Sequence, residues 1–241
     1  MVEITTLQTL PPLQGCLICH REGTMKFVEG RKVLGLGSGL PSVSCAHCGA
    51  VAQLELGENG NAGAWRIRYK KISDAPVYYY VRVYFGQSRW YGAEEALDIS
   101  TRGFVQRHRL DQVQRGDLSW LQPTPLVPPP PLMAPSERVY LSVTEATLQV
   151  PAQGGGLLAS NEATVLDTGS FYVTNSRVHL IGQKRDWANR LNEIRDIEHD
   201  EHRWRIYVGA NRQCFAGDNA PQALDAQLFA AVVKVLWKEE I

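Results

Sequence analysis

Four of the five cysteines stand as two pairs: Cys16 and Cys19 in "GCLICHREG", Cys45 and Cys48 in "SCAHCGA", with 25 residues between the pairs. A Cys-x-x-Cys step closes a tight turn that aims two thiolates at one point, and two such turns supply the four sulfurs of a tetrahedral Zn²⁺ site. A redox dithiol needs one pair at a helix N-terminus after a strand, and "CLICHREGTMKF" has no helical apolar period. Four thiolates leave no open coordination position, so the expected ion is single and structural. His20 and His47 sit beside the cysteines, but four sulfurs already complete the shell. Gly49 follows the second pair where a left-handed turn residue is needed; His20 holds that place in the first.

These four cysteines resemble those of a zinc ribbon, over residues 12–71. The elements that would position them follow. "QLELGENGNAGAWRIRYKKI" reads as strand, Gly/Asn-rich turn, strand. In the second strand Trp65, Ile67 and Tyr69 alternate with Arg66, Arg68 and Lys70, and Lys71 follows. The apolar side suits a small core, and the basic side suits either solvent or a phosphate backbone.

Residues 72–121 read as a small α/β connector. "PVYYYVRVYFG" at 76–86 has the composition of a strand. "AEEALDIS" then "FVQRHR" looks like the helix-turn-helix of small bacterial regulators, with Ser100 or Thr101 capping a second helix. That resemblance implies nucleic-acid contact through Arg102, Gln106, Arg107 and Arg109, although Gly103 is a weak helix residue. Residues 123–135 hold seven prolines in thirteen positions. The stretch 122–136 is therefore expected to be an extended spacer, on the order of 40 Å at full reach.

Beyond it, short alternating segments run from "RVYLSV" to "RQCFAG" and read as about seven strands. The period then changes: Leu224, Leu228, Ala231, Val232, Val235 and Leu236 share one helical face, with Pro221 in the first turn. Seven strands closed by one helix, with "TGSFYVTNSRVHLIG" and "NEIRDIE", resemble the GRAM and bacterial PH-like family over residues 137–241. The resemblance implies a barrel that binds a protein or, in some members, a phosphoinositide. The loop "PAQGGGLLASNE" has no basic residue, which disfavours the lipid. "EHDEH" with His199 and His202 suits a polar hairpin turn better than a metal site, and Cys214 a buried strand position.

The formal net charge is zero, with +3 over residues 1–71 (8 basic, 5 acidic) and −3 over 126–241 (11 basic, 14 acidic). Such a balance gives no global pull toward nucleic acid or anionic membrane. No run of about 18 apolar residues and no secretory start is present, so a reducing, cytoplasmic setting is expected. "LGLGSGLP" lacks the Lys-Ser/Thr of a phosphate loop, and no constellation of catalytic residues is evident. The expectation is a mainly β, multi-domain, non-enzymatic protein: a zinc ribbon and connector, a proline-rich linker, and a PH-like barrel capped by a C-terminal helix. Its expected role is that of an adaptor or scaffold for a protein partner. The alternatives are a nucleic-acid-binding regulator and a membrane-lipid-targeted protein.

Overall fold

The structure is a computed structural model that describes residues 10–30, 39–56, 65–70, 77–86, 89–150, 163–210, 213–218 and 224–239. The chain divides into two compact units, Met1–Val105 and Gln106–Ile241. The division falls inside one helix. Among the described residues no helix is long and apolar enough to cross a membrane.

The first unit is built on a five-stranded antiparallel sheet in the order β1 (Met25–Val28), β2 (Ser42–Cys45), β3 (Val51–Glu55), β4 (Arg66–Tyr69) and β5 (Tyr91–Gly92). A short helix, α1 (Pro11–Gln14), precedes it. The alternation read in "WRIRY" holds: Trp65, Ile67 and Tyr69 are buried, whereas Arg66 and Lys70 are exposed.

The expected strand at 76–86 is instead helical, α2 (Val77–Tyr80) continuing as a π-helical turn over Val81–Phe85. Its β-branched and aromatic residues pack with a spacing of four, not two. Val81 and Phe85 are both buried, and the rings of Tyr80 and Tyr84 stack with centroids 6.3 Å apart. Phe85 closes the core against Tyr69 and Tyr91, at 4.7 and 5.4 Å. This burial overrides the β propensity of the segment.

The helix-turn-helix is also absent. Residues 93–114 form one helix, α3 (Ala93–Gln114), with Glu94 and Glu95 in the first turn as its dipole favours. Neither hydroxyl at the expected turn caps a new helix. Thr101 donates back to the Leu97 carbonyl (2.9 Å), and Ser100 to the Leu17 carbonyl (2.8 Å). Gly103 admits the Tyr84 ring, since a Cβ there would stand 3.2 Å from a ring carbon. Arg102, Arg107 and Arg109 therefore lie along one continuous helix. Arg102 pairs with Asp98 at 3.0 Å, and Arg109 stacks on Trp120 at 4.7 Å.

The second unit holds a curled seven-stranded antiparallel half-barrel, PH-like in shape, with one C-terminal helix. Its strands are β6 (Val139–Val150), β7 (Thr164–Thr174), β8 (Arg177–Gly182), β9 (Asp186–Arg190), β10 (Ile194–His199), β11 (Arg203–Val208) and β12 (Gln213–Asp218). Their order is β10-β11-β12-β6-β7-β8-β9, so the first and last strands in sequence are neighbours at the middle of the sheet. The final helix, α4 (Ala226–Glu239), buries Leu228, Val232 and Leu236 of the expected face, together with Phe229 and Val233. It starts where the Asp225 carboxylate accepts the Leu228 N–H at 2.7 Å; Pro221 lies outside the described residues. The core joins Phe171, Trp204, Phe215 and Phe229, with Trp204 stacked on Phe229 at 4.3 Å.

The proline-rich segment does not run free. Thr124 pairs with Val139 through two backbone bonds of 3.1 and 2.8 Å, and Met133 is buried. Glu137, 4% exposed, ties its end down. It accepts hydrogen bonds from Ala134 N–H (2.9 Å), the Thr174 hydroxyl (2.6 Å) and His179 Nε2 (2.8 Å). Proline blocks helix and sheet within the segment, but these anchors at its ends remove the freedom of a spacer.

β7 runs straight through "DTG" at 167–169. The Asp167 carboxylate, 3% exposed, accepts N–H groups of Gln183, Lys184 and Arg185 in the β8–β9 connection (3.1, 3.2 and 3.1 Å). At Gly169 there is no room for a side chain: an added Cβ would run into the Ile181 carbonyl of β8. Gly169→Ala is expected to destabilise the second unit by about 2–3 kcal/mol, as overpacking against backbone does, read as a lower urea midpoint.

Candidate metal centre

The two knuckles are built alike. In each, the N–H four residues on bonds back to the first cysteine's carbonyl: His20 to Cys16 at 2.8 Å, Gly49 to Cys45 at 3.0 Å. Each first cysteine also donates its own N–H to the carbonyl five residues on, Arg21 (3.2 Å) and Ala50 (2.9 Å). Both turns end in the left-handed region, Gly49 at φ 76° and His20 at φ 58°. The first knuckle thus accepts the cost of a side chain there. Its imidazole lies 4.9 Å from the Phe104 ring, and Ser100 braces the same loop from α3.

The four sulfurs converge, all within 4.8 Å of one another. The pairs nearest across the two knuckles are Cys16–Cys48 at 3.6 Å and Cys19–Cys45 at 3.7 Å. These lengths are far beyond a disulfide bond. They match the edge of a tetrahedron, about 3.8 Å, whose corners sit 2.3 Å from a central ion. Cys16 and Cys45 are buried, and the other two partly so.

The surroundings are arranged for thiolates. Ile18 N–H and Cys19 N–H point at Cys16 Sγ (3.4 and 3.5 Å), and Cys48 N–H at Cys45 Sγ (3.4 Å). The Thr24 hydroxyl lies 3.3 Å from Cys45 Sγ. Burial pushes the Cys45 thiol up, but Thr24 and the knuckle N–H groups outweigh it and bring it down to about 6. Cys16 moves the other way, raised by the hydrogen bond it shares with Cys48 and by burial. Four sulfurs this close cannot all ionise by themselves; a dication at their centre removes that repulsion. The donor set therefore fits a metal ion held by Cys16, Cys19, Cys45 and Cys48.

The structure separates the other sequence candidates. Arg66, Arg68 and Lys70 share one face of β4, and Lys71 lies outside the described residues. Arg66 and Arg68 lie over the Trp90 ring, at 5.7 and 4.7 Å from its centroid. Trp90 had no signal of its own in the sequence, because it reaches β4 only through the β4–β5 pairing. Nor did the sequence point to Thr24 or Ser100. In the second unit, His199 and His202 flank a hairpin turn closed by Asp200, which accepts the N–H groups of His202 and Arg203 (2.9 and 2.8 Å). Cys214 is buried, and burial raises its thiol to about 11. A groove of about 540 Å³ beside β10 is lined by Arg195, Asp196, Glu198, Tyr207, Gly209 and Ala210. Burial and a 3.0 Å hydrogen bond to Glu198 push the Tyr207 hydroxyl up to about 12.

No family model matches the chain, and no curated protein matches it. Among solved structures, a similar one is the crystal structure of the C-terminal domain of an unknown protein from Leishmania infantum. It is 15% identical with a TM-score of 0.28, over 42% of this chain and 84% of that one.

Proposed function

We propose that this chain is a non-catalytic adaptor. One zinc ion at Cys16, Cys19, Cys45 and Cys48 would stabilise a ribbon-like first unit, and the half-barrel would hold a protein partner. The observation that carries the reading is the half-barrel with its edge strand β10, beside which Arg195, Asp196, Glu198 and Tyr207 line an open polar groove. The clustered chemical groups also support it, since each has a structural task. The four cysteines suit a closed shell, Glu137 and His179 are buried against each other, and Asp167 holds a strand connection. A groove of mixed charge on an edge strand suits an extended peptide better than a lipid headgroup, which calls for clustered cations.

The test is recovery of the tagged full-length chain from its own source cells, beside an Arg195→Glu/Glu198→Lys variant shown to be folded. A protein partner in fixed ratio, reduced at least tenfold by the variant, is the expected result. A partner retained equally by both forms would remove the groove from the reading. Recovery of no protein would remove the adaptor itself.

A further inference from the structure

The outward face of the five-stranded sheet presents a row of cations beside an aromatic ring. The register fixes which residues share that face: Arg68 stands opposite Gln53, Gln53 opposite Ser42, and Ser42 opposite Val28. Lys26, two residues before Val28, lies on the same side, as do Arg66 and Lys70 on either side of Arg68. Opposite them, Ile67, Tyr69 and Leu54 face the core. Among the described residues of these strands the face carries Lys26, Arg66, Arg68 and Lys70, with Glu55 3.5 Å from Arg66.

Trp90 is placed within this row. It immediately precedes β5, whose Gly92 pairs with Arg66, so its half-buried ring lies beneath the guanidinium groups of Arg66 and Arg68. Arg68 is oriented further by the Gln53 side-chain carbonyl, which accepts both its Nε–H (3.2 Å) and an Nη2–H. That leaves part of its donor fork for another acceptor. Residues 66, 68 and 70 repeat about every 6.8 Å along the strand, comparable with the phosphate repeat of an extended single strand.

We propose that this face binds single-stranded nucleic acid. Arg66, Arg68, Lys70 and Lys26 meet the phosphates, and a base stacks against the Trp90–arginine layer. A sheet face with an aromatic platform and aligned cations suits unstacked bases, which a duplex does not offer. The charge of the face is local, since the whole chain is neutral. The proposal goes beyond the adaptor reading and does not depend on it.

The experiment uses the full-length, metal-loaded protein and a short fluorescein-labelled oligothymidine strand, followed by anisotropy over a range of salt. The expected result is binding at low salt whose log K falls with log salt by about 0.7 per phosphate engaged. Arg66→Ser, at an exposed position, should reduce that slope by about 0.7, and Trp90→Leu should weaken binding about tenfold. The matching duplex should bind more weakly than the strand. Circular dichroism and metal content verify the fold of each variant, and Lys70→Ser serves as a second exposed variant should Trp90→Leu not fold. No binding at low salt would overturn the proposal. So would binding unchanged by Trp90→Leu, or a preference for duplex, each of which marks generic polyanion attraction. Failure here with a protein partner still recovered through the β10 groove would leave the adaptor reading intact.

Discussion

Replacing Cys45 by serine is expected to cost the first unit its metal and, with it, its fold, while the second unit keeps its own cooperative transition. The reason lies in how the first core is assembled. Cys16 and Cys45 are themselves core residues, packed with Leu17, Ile18, Val43 and Tyr69. The two knuckles are joined through the pairing of β1, which follows the first, with β2, which leads into the second, and through the sulfurs. Structural zinc in such small modules supplies about 10–16 kcal/mol of apparent binding free energy at neutral pH, which is folding free energy when the unfolded chain holds no site. A serine at position 45 leaves three thiolates and a hydroxyl that does not ionise, and so removes most of that contribution. Elemental analysis of the wild type should return close to one zinc per chain. Thermal unfolding of Cys45→Ser should lose the transition of the first unit and retain that of the second. An intact first unit in metal-free wild-type protein would defeat the zinc reading. Because the cysteines bind as thiolates, the metal should also leave on acidification, with protons and the ion competing for the same sulfurs.

Glu137→Ala should destabilise the second unit by about 3–5 kcal/mol. It removes the acceptor shared by Thr174, Ala134 and His179, two of whose side chains are fully buried. His179 Nε2 is then left without its acceptor in a dry site, the Thr174 hydroxyl keeps the Arg177 carbonyl at 3.1 Å, and the end of the proline-rich segment is released from the barrel. Glu137→Gln keeps the shape and one acceptor and should cost less. The same carboxylate predicts a pH dependence. Burial pushes it up, but the hydrogen bonds from Thr174, Ala134 and His179 outweigh that and hold it below the ordinary glutamate value. A carboxyl depressed by folding contributes stability that is complete above its unfolded value, near 4.3, and fades as pH falls through that value toward the folded one. Urea midpoints of the wild type should therefore fall below about pH 4. Glu137→Gln should flatten that part of the curve, and a curve of unchanged shape would show that the pair does not govern acid stability.

The sequence by itself located the four converging cysteines and the alternating strands of the second unit. Cys-x-x-Cys is a local geometric statement, since each pair lies within one turn, and two pairs need only a hairpin between them to meet. Strict alternation in "WRIRY" and the helical stripe at 228, 232 and 236 likewise report burial, because one side of each element is apolar. The tertiary structure alone decided the rest. Residues 76–86 carry strand-forming side chains, but Val81 and Phe85 had a core to enter at helical spacing. "LDISTRGF" has the residues of a helix break, yet Leu17 offered its carbonyl to Ser100 and Tyr84 filled the space over Gly103. The prolines at 123–135 forbid regular structure, but whether such a segment runs free depends on Met133 and Glu137 finding a distant surface. Trp90 meets Arg66 and Arg68 only because β5 pairs with β4. In each case the deciding partner lies far along the chain or on another element, where no local pattern of residues can announce it.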